Sequence, residues 1–155
     1  MRNRLMQLLS DNRRAPVPMA QRVQRLAQNE AEVYLYDPIV SSRVMAEWFG
    51  AICPQDFVPA VRALDVQTIH LRVNCPGGDV FGAEAMCEAL RSHPARVVAH
   101  IEGLAASAAT SVCCACDEVL ITPASKYMVH ETWTLAEGNK RDLRSLADQI
   151  GRAHV

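Results

Sequence analysis

The sequence predicts an α/β fold with a mainly parallel sheet. From residue 32 onward, short apolar runs of strand length alternate with stretches of helical spacing. Most of the apolar runs end in Gly, Pro, Asn or Asp, the residues that break a strand into a turn. Strands joined by crossover helices pair in parallel, and such a sheet is expected to be covered on both faces. Size and composition agree: 155 residues, 50% hydrophobic and 21% charged, suit one compact domain and exclude bulk disorder.

Each element has its own signal. Residues 1–25 carry Arg2, Arg4, Arg13, Arg14, Arg22 and Arg25 against Asp11 alone, and Ala15-Pro16-Val17-Pro18 interrupts them. Residues 1–31 are therefore predicted to be a basic arm outside the core; an Arg-rich, acid-poor start also resembles an organelle transit peptide. Val33-Tyr34-Leu35-Tyr36 predicts a strand stopped by Asp37-Pro38. Ser41 or Ser42 can cap a helix running to Phe49. Phe57, Ala60, Val61 and Leu64 repeat at helical spacing, and residues 68–73 predict a buried strand that ends at Asn74-Cys75-Pro76-Gly77-Gly78. Val80, Ala83, Met86, Cys87 and Leu90 line one face of the next helix, which His93-Pro94 stops. Residues 96–101 predict a strand, 106–116 a helix of small residues, 119–121 and 127–129 two short strands. Leu143, Leu146, Ala147 and Ile150 mark a last amphipathic helix, broken by Gly151.

Several function classes drop out. With 16 basic and 17 acidic residues the surface lacks the positive excess that general nucleic-acid binding requires. The longest apolar stretch, 103–115, is interrupted by Ser107, Thr110 and Ser111 and is too short to span a bilayer. Cys113, Cys114 and Cys116 crowd together while Cys53, Cys75 and Cys87 are scattered, which is no disulfide framework. Residues 1–10 lack the continuous apolar core of a secretory signal. The reading is a cytoplasmic protein with free thiols, taking neither nucleic acid nor membrane as partner. Cys113-Cys114-Ala115-Cys116 contains C-x-x-C, but no second Cys/His pair stands at ligand spacing, so neither metal nor cofactor is expected.

Three features carry chemistry together. A Gly pair at Gly77-Gly78, between a strand and a helix, lets another chain approach its backbone N–H groups, or is an ordinary tight turn. Gly103 permits a sharp exit from the preceding strand, and four Ala around Ser107 leave that hydroxyl unscreened at a helix start; the plain alternative is a Ser packing an Ala-rich helix. His130 follows Tyr127-Met128-Val129, at a strand end, where ligands gather in open α/β sheets. A hydroxyl, an imidazole and paired N–H donors are the parts of nucleophilic serine chemistry, and they occur here at the ends of successive strands. His70, His93, His100 and His154 stand beside no comparable signal.

Val73-Asn74-Cys75-Pro76-Gly77-Gly78-Asp79-Val80, Gly103-Leu104-Ala105-Ala106-Ser107-Ala108-Ala109 and Met128-Val129-His130-Glu131 resemble the three signature segments of ClpP-type serine peptidases. Trp133, Leu135, Gly138-Asn139 and Asp142-Leu143-Arg144 look like the segment after the histidine in phage head-maturation (prohead) proteases of that type. The resemblance spans residues 33–149 and implies a ClpP/crotonase-like fold of stacked β-α units within a domain of residues 32–149. It implies Ser107 as nucleophile, His130 as general base, and an oxyanion hole made by the amides of Gly78 and Ala108 with Gly77 shaping the turn. It further implies peptide substrates held as an added β-strand beside Gly78 and after His130, a homo-oligomeric ring, and an ATP-driven unfoldase as partner in cellular members. Capsid or scaffold proteins would be the substrates in the phage branch, with a bacterial cell or phage-infected host as the setting.

One part of the pattern is missing. The family's triad acid lies further beyond the histidine than this chain reaches, so the fold is expected to be C-terminally incomplete. Glu131, Glu137, Asp142 and Asp148 are available acids, but none matches the family position. Loss of the orienting carboxylate from a comparable triad costs on the order of 10⁴ in rate, which leaves the activity of the chain as it stands open. Residues 150–155 and a stop can be read from ATC GGA AGA GCA CAC GTC TGA, which resembles a common sequencing-adapter sequence, so a non-native tail is expected there. Three alternatives stay open: an inactive structural fragment, a crotonase-like acyl-CoA enzyme that shares the fold, and a Ser–Lys peptidase using Lys126.

Overall fold

A computed structural model describes residues 15–26, 29–133 and 136–152. After a 3-10 turn at Met19–Gln21, the elements are β1 (Val23–Leu26), β2 (Glu30–Leu35), α1 (Arg43–Phe49), α2 (Pro54–Arg62), β3 (Thr68–Cys75), α3 (Val80–Arg91), β4 (Arg96–Ala106), α4 (Ala108–Cys114), β5 (Glu118–Ile121), β6 (Lys126–Met128) and α5 (Lys140–Arg152). The fold is α/β, and the sheet runs β1-β2-β3-β4-β5 with β6 also on β4. Every pairing is parallel except β1 on β2. The long strand β4 takes two partners along one edge: its middle pairs with β5 and its last three residues with β6.

Register decides what is buried. Ala31, Ile69 and Val97 form one row across β2, β3 and β4, followed by Val33, Leu71 and Ala99, then Leu35, Val73 and Ile101. These rows pack with Phe57 and Val61 of α2, Met86, Cys87 and Leu90 of α3, and Val112 and Cys113 of α4 in one apolar cluster. Each large apolar side chain fully buried this way contributes about 1.5–3 kcal/mol. The helix ends follow local chemistry. Ser42 Oγ accepts from Met45 N at 3.4 Å, α1 stops on Gly50 at φ 64°, and Pro54 opens α2 where no N–H is needed.

The opposite face corrects the expectation of cover on both sides. It carries Glu30, Glu32, Tyr34, His70, Arg72, His100 and Glu102, which bond to one another. Arg72 reaches Glu32 at 2.5 Å and Glu102 at 3.0 Å, and the Tyr34 hydroxyl donates to Glu32 at 2.6 Å. His70 lies 3.1 Å from Glu30 and 2.9 Å from His100. The reason is visible in the alternation Thr68-Ile69-His70-Leu71-Arg72-Val73, which belongs to a half-buried strand rather than a fully buried one.

Three boundaries also move. Within the segment read as an arm, Val23–Leu26 is an edge strand on β2, and Arg22, 5% exposed, is ion-paired to Asp37; residues 1–14 lie outside the described residues. Strand β4 runs on to Ala106, so α4 starts at Ala108 and ends at Cys114. Helix α5 passes through Gly151 to Arg152, and residues 153–155 of the predicted tail lie outside the described residues. No helix among the described residues is long and apolar enough to cross a membrane.

Candidate active site at the ends of three strands

The carboxyl ends of β3, β4 and β6 converge. Parallel pairing sets Ala105 beside Tyr127 and Ala106 beside Met128, and the Ser107 amide then donates to the Met128 carbonyl at 2.8 Å. Ser107 is thus the pivot between β4 and α4, with φ 54° and ψ −128°. Among the described non-glycine residues only Asn29 shares a positive φ. Such a conformation costs of order 1–3 kcal/mol and persists only where its surroundings hold it. Here the backbone N–H and the hydroxyl of Thr110 both donate to the Ser107 carbonyl, at 2.9 and 2.6 Å. A sharp strand-to-helix turn of this kind lifts its side chain clear of the backbone.

The glycine pair lies directly against that turn. A Cβ on Gly77 (φ 89°) would stand 2.5 Å from the Ala106 carbonyl oxygen, 2.8 Å from Ser107 Cβ and 2.9 Å from Ala108 N. On Gly78 (φ 139°) it would stand 2.0 Å from the Ile39 carbonyl oxygen. Only glycine allows both the backbone angles and the approach. Ile39 N donates to the Gly77 carbonyl at 2.8 Å and Asp79 N donates to the Ile39 carbonyl at 2.9 Å. In extended backbone, alternate amides point to opposite sides, so these bonds turn the Gly78 N–H away from Ile39. Within the described residues neither the Gly78 N–H nor the Ala108 N–H, first in α4, has a hydrogen-bond acceptor.

His130 is exposed and lies two residues past Met128, the residue opposite the serine turn. The structure therefore brings together Gly77, Gly78, Ser107 and Ala108, and sets the segment bearing His130 alongside. No carboxylate among the described residues bonds to His130. Of the available acids, Asp142 is committed elsewhere: its Oδ2 accepts from Asn139 N at 3.1 Å while Asn139 Oδ1 caps Arg141 N at 2.9 Å. Lys126 opens β6 opposite Leu104, two residues before Met128, about 6–7 Å back along the strand.

The support beneath the turn was partly missed from sequence. Asn74 Oδ1 accepts from Leu104 N at 3.2 Å across a β-bulge between β3 and β4, and a Cβ on Gly103 would stand 2.6 Å from that same oxygen. Gly103 is thus glycine to admit Asn74, not to end the strand. The Tyr127 hydroxyl donates to the Thr110 carbonyl and touches Cys114, each at 3.4 Å, and burial together with the Cys114 contact pushes that phenol up to about 12. Ile39, which borders Gly78, carried no signal at all. Cys113 is buried as expected, while Cys114 is exposed.

Residues 19–154 match the sequence profile of the Clp protease family. No curated protein sequence gives a significant match. Among solved structures, a mutant of ClpP1 from Listeria monocytogenes superimposes with a TM-score of 0.60 at 18% identity, over 96% of this chain and 70% of that one.

Proposed function

Because the chain belongs to the Clp protease family, a family of serine peptidases, we propose that it is a serine endopeptidase acting through Ser107. The observation that supports this best is the backbone of Ser107, held at φ 54° between Gly77 and the end of β6, with the free amides of Gly78 and Ala108 on either side. In this reading His130 takes the Ser107 proton as Oγ bonds to the peptide carbonyl carbon. The Gly78 and Ala108 amides hold the resulting oxyanion, a placement in which one donor is worth about 3 kcal/mol of barrier. The C–N bond then breaks, His130 hands its proton to the leaving amine, and water hydrolyses the acyl ester by the same steps. Peptide substrate lies as an added strand beside Gly78 and the segment after His130.

Finer expectations belong to the same proposal. Phage head maturation, with capsid or scaffold proteins as substrates, rests on Trp133, Leu135, Gly138-Asn139 and Asp142-Leu143-Arg144. A homo-oligomeric ring and an ATP-driven unfoldase follow from the family. The test is labelling with a fluorophosphonate, located by mass spectrometry, on this chain and on a version extended at its C-terminus. Adduct on Ser107, abolished in S107A and H130A and retained in K126A, is expected, faster in the extended version if that supplies the orienting carboxylate. No adduct in either version would overturn the assignment. Cleavage of phage capsid precursors in preference to casein would separate the phage reading from a general protease.

A further inference from the structure

We propose that Cys75 is a positioning residue for the serine turn, its thiol holding Gly77 in place so that the Gly78 amide keeps its aim. The inference rests on the proposed oxyanion role of Gly78 and deepens it. Cys75 is the last residue of β3 and 0% exposed. Its sulfur has a partner on each side: the thiol donates to the Asp37 carbonyl at 3.1 Å, and the Gly77 amide donates to the sulfur at 3.4 Å. It thereby ties the loop that follows β2 to the glycine turn, across the strand boundary where the two glycines leave the sheet.

The tie continues outward. The Asp37 carboxylate is ion-paired with Arg22, and Arg22 Nε donates to the Val17 carbonyl at 3.2 Å. Ile39, two residues after Asp37, completes the clamp through its bonds to Gly77 and Asp79. Inward, Gly77 has no room to move toward the serine, since even a methyl group would meet Ala106, Ser107 and Ala108. A buried sulfur that both donates and accepts therefore fixes Gly77 between the Asp37–Ile39 loop and Ser107. Burial pushes the Cys75 thiol up to about 12, so it keeps its proton, and its donor, at neutral pH. Nothing in this arrangement calls for thiolate chemistry, and the group is shut away from oxidants.

The test uses hydrogen exchange by NMR beside fluorophosphonate labelling, on the wild type, C75A and C75S. In the wild type the Gly77 amide should exchange far more slowly than that of Gly78. Removing the acceptor in C75A should speed Gly77 exchange by about tenfold and slow Ser107 labelling by a similar factor, the size set by one modest hydrogen bond. The amides of Leu71 and Val33 should keep their protection. C75S, whose hydroxyl donates and accepts, should restore Gly77 protection and labelling. Wild-type Gly77 exchanging as fast as Gly78, Gly77 protection unchanged in C75A, or C75S behaving as C75A would each overturn the proposal. Should C75A unfold, the wild-type contrast and C75S still decide it. No label on the wild type or on its extended version sinks the serine peptidase reading alone, because the exchange contrast needs no catalysis.

Discussion

Replacing Gly77 by Ala tests whether the glycine turn and the serine turn are one packed unit. The new Cβ would face the Ala106 carbonyl oxygen at 2.5 Å, Ser107 Cβ at 2.8 Å and Ala108 N at 2.9 Å. Two of these are backbone atoms and the third is the serine itself, so no flexible side-chain end is available to yield. The residue also sits at φ 89°, where a Cβ costs about 1–2 kcal/mol. Overpacking a close-fitted site costs about 1–3 kcal/mol more. The expected loss is about 2–5 kcal/mol, a large share of the roughly 5–15 kcal/mol that holds a domain together. Gly50→Ala is the control, since Gly50 has a similar left-handed backbone at the end of α1 but does not border the serine. It should lose only the backbone share, about 1–2 kcal/mol. Urea unfolding followed by far-UV circular dichroism gives both values. Fluorophosphonate labelling should fall in G77A by a factor of about 10²–10³, the size of one lost oxyanion donor, and stay unchanged in G50A. A G77A protein as stable as G50A and labelled at the wild-type rate would refute the packing argument.

Further outcomes follow from the same structure. Asp79→Ala removes the side-chain oxygen that accepts from Gly82 N at 2.6 Å at the start of α3, and urea unfolding should show a loss of about 1 kcal/mol. On the polar sheet face, the Tyr34 hydroxyl, with Arg72 beside it, holds the Glu32 carboxyl below its ordinary 4.5. A depressed carboxyl stabilises the fold above that ordinary value and loses its contribution as pH falls through the folded-state value, so Glu32→Gln should flatten the stability profile below about pH 4.5. Burial, then the charge of Arg72 and the neighbouring His70, lowers His100 from 6.5, with Glu102 and Glu32 opposing. The unfolded chain then binds the proton more readily, so stability should drop as pH falls below about 6.5, and His100→Gln should remove that slope. Both slopes are read from urea midpoints taken between pH 8 and pH 3.

How far these features could be read in advance depends on the kind of signal. The helices α1, α2 and α3 were legible because caps and apolar spacing leave marks in the chain: Ser42, the repeat Phe57, Ala60, Val61, Leu64, and the row Val80, Ala83, Met86, Cys87, Leu90. The approach of Gly77 and Ser107 followed from strand order plus glycine. The exact pivot did not. Gly103-Leu104-Ala105-Ala106-Ser107-Ala108-Ala109 is too uniform to show either a two-residue or a 3.6-residue period, so the passage from strand to helix was placed too early. What fixes it is the pairing of Ala106 with Met128, a contact 22 residues away in sequence. Ile39 and the supporting roles of Asn74 and Cys75 were not legible for a related reason, since each acts through hydrogen bonds across chain segments that no local pattern announces.

The strain at Ser107 explains why so much of the fold ends there. A residue at φ 54° would relax if its neighbours let it, and four separate segments prevent that. Met128 accepts its amide, Thr110 donates twice to its carbonyl, Gly77 closes the space beside its Cβ, and the Asp37–Ile39 loop holds Gly77 from behind. Each contact is worth little alone, about 1 kcal/mol for a net hydrogen bond, but together they exceed the cost of one strained residue. His130 lacks such a frame, being exposed and without a bonded carboxylate among the described residues. The two halves of the proposed catalytic pair therefore differ in kind. The nucleophile and its amide donors are rigid by construction, whereas the imidazole depends on a further contact to orient it. Labelling of Ser107 in the chain as it stands should be slow for want of the base and not for want of the oxyanion site. Raising the pH should therefore speed that labelling more in this chain than in any version in which a carboxylate bonds to His130, since hydroxide can stand in for a poorly oriented base but nothing in solution replaces a placed amide.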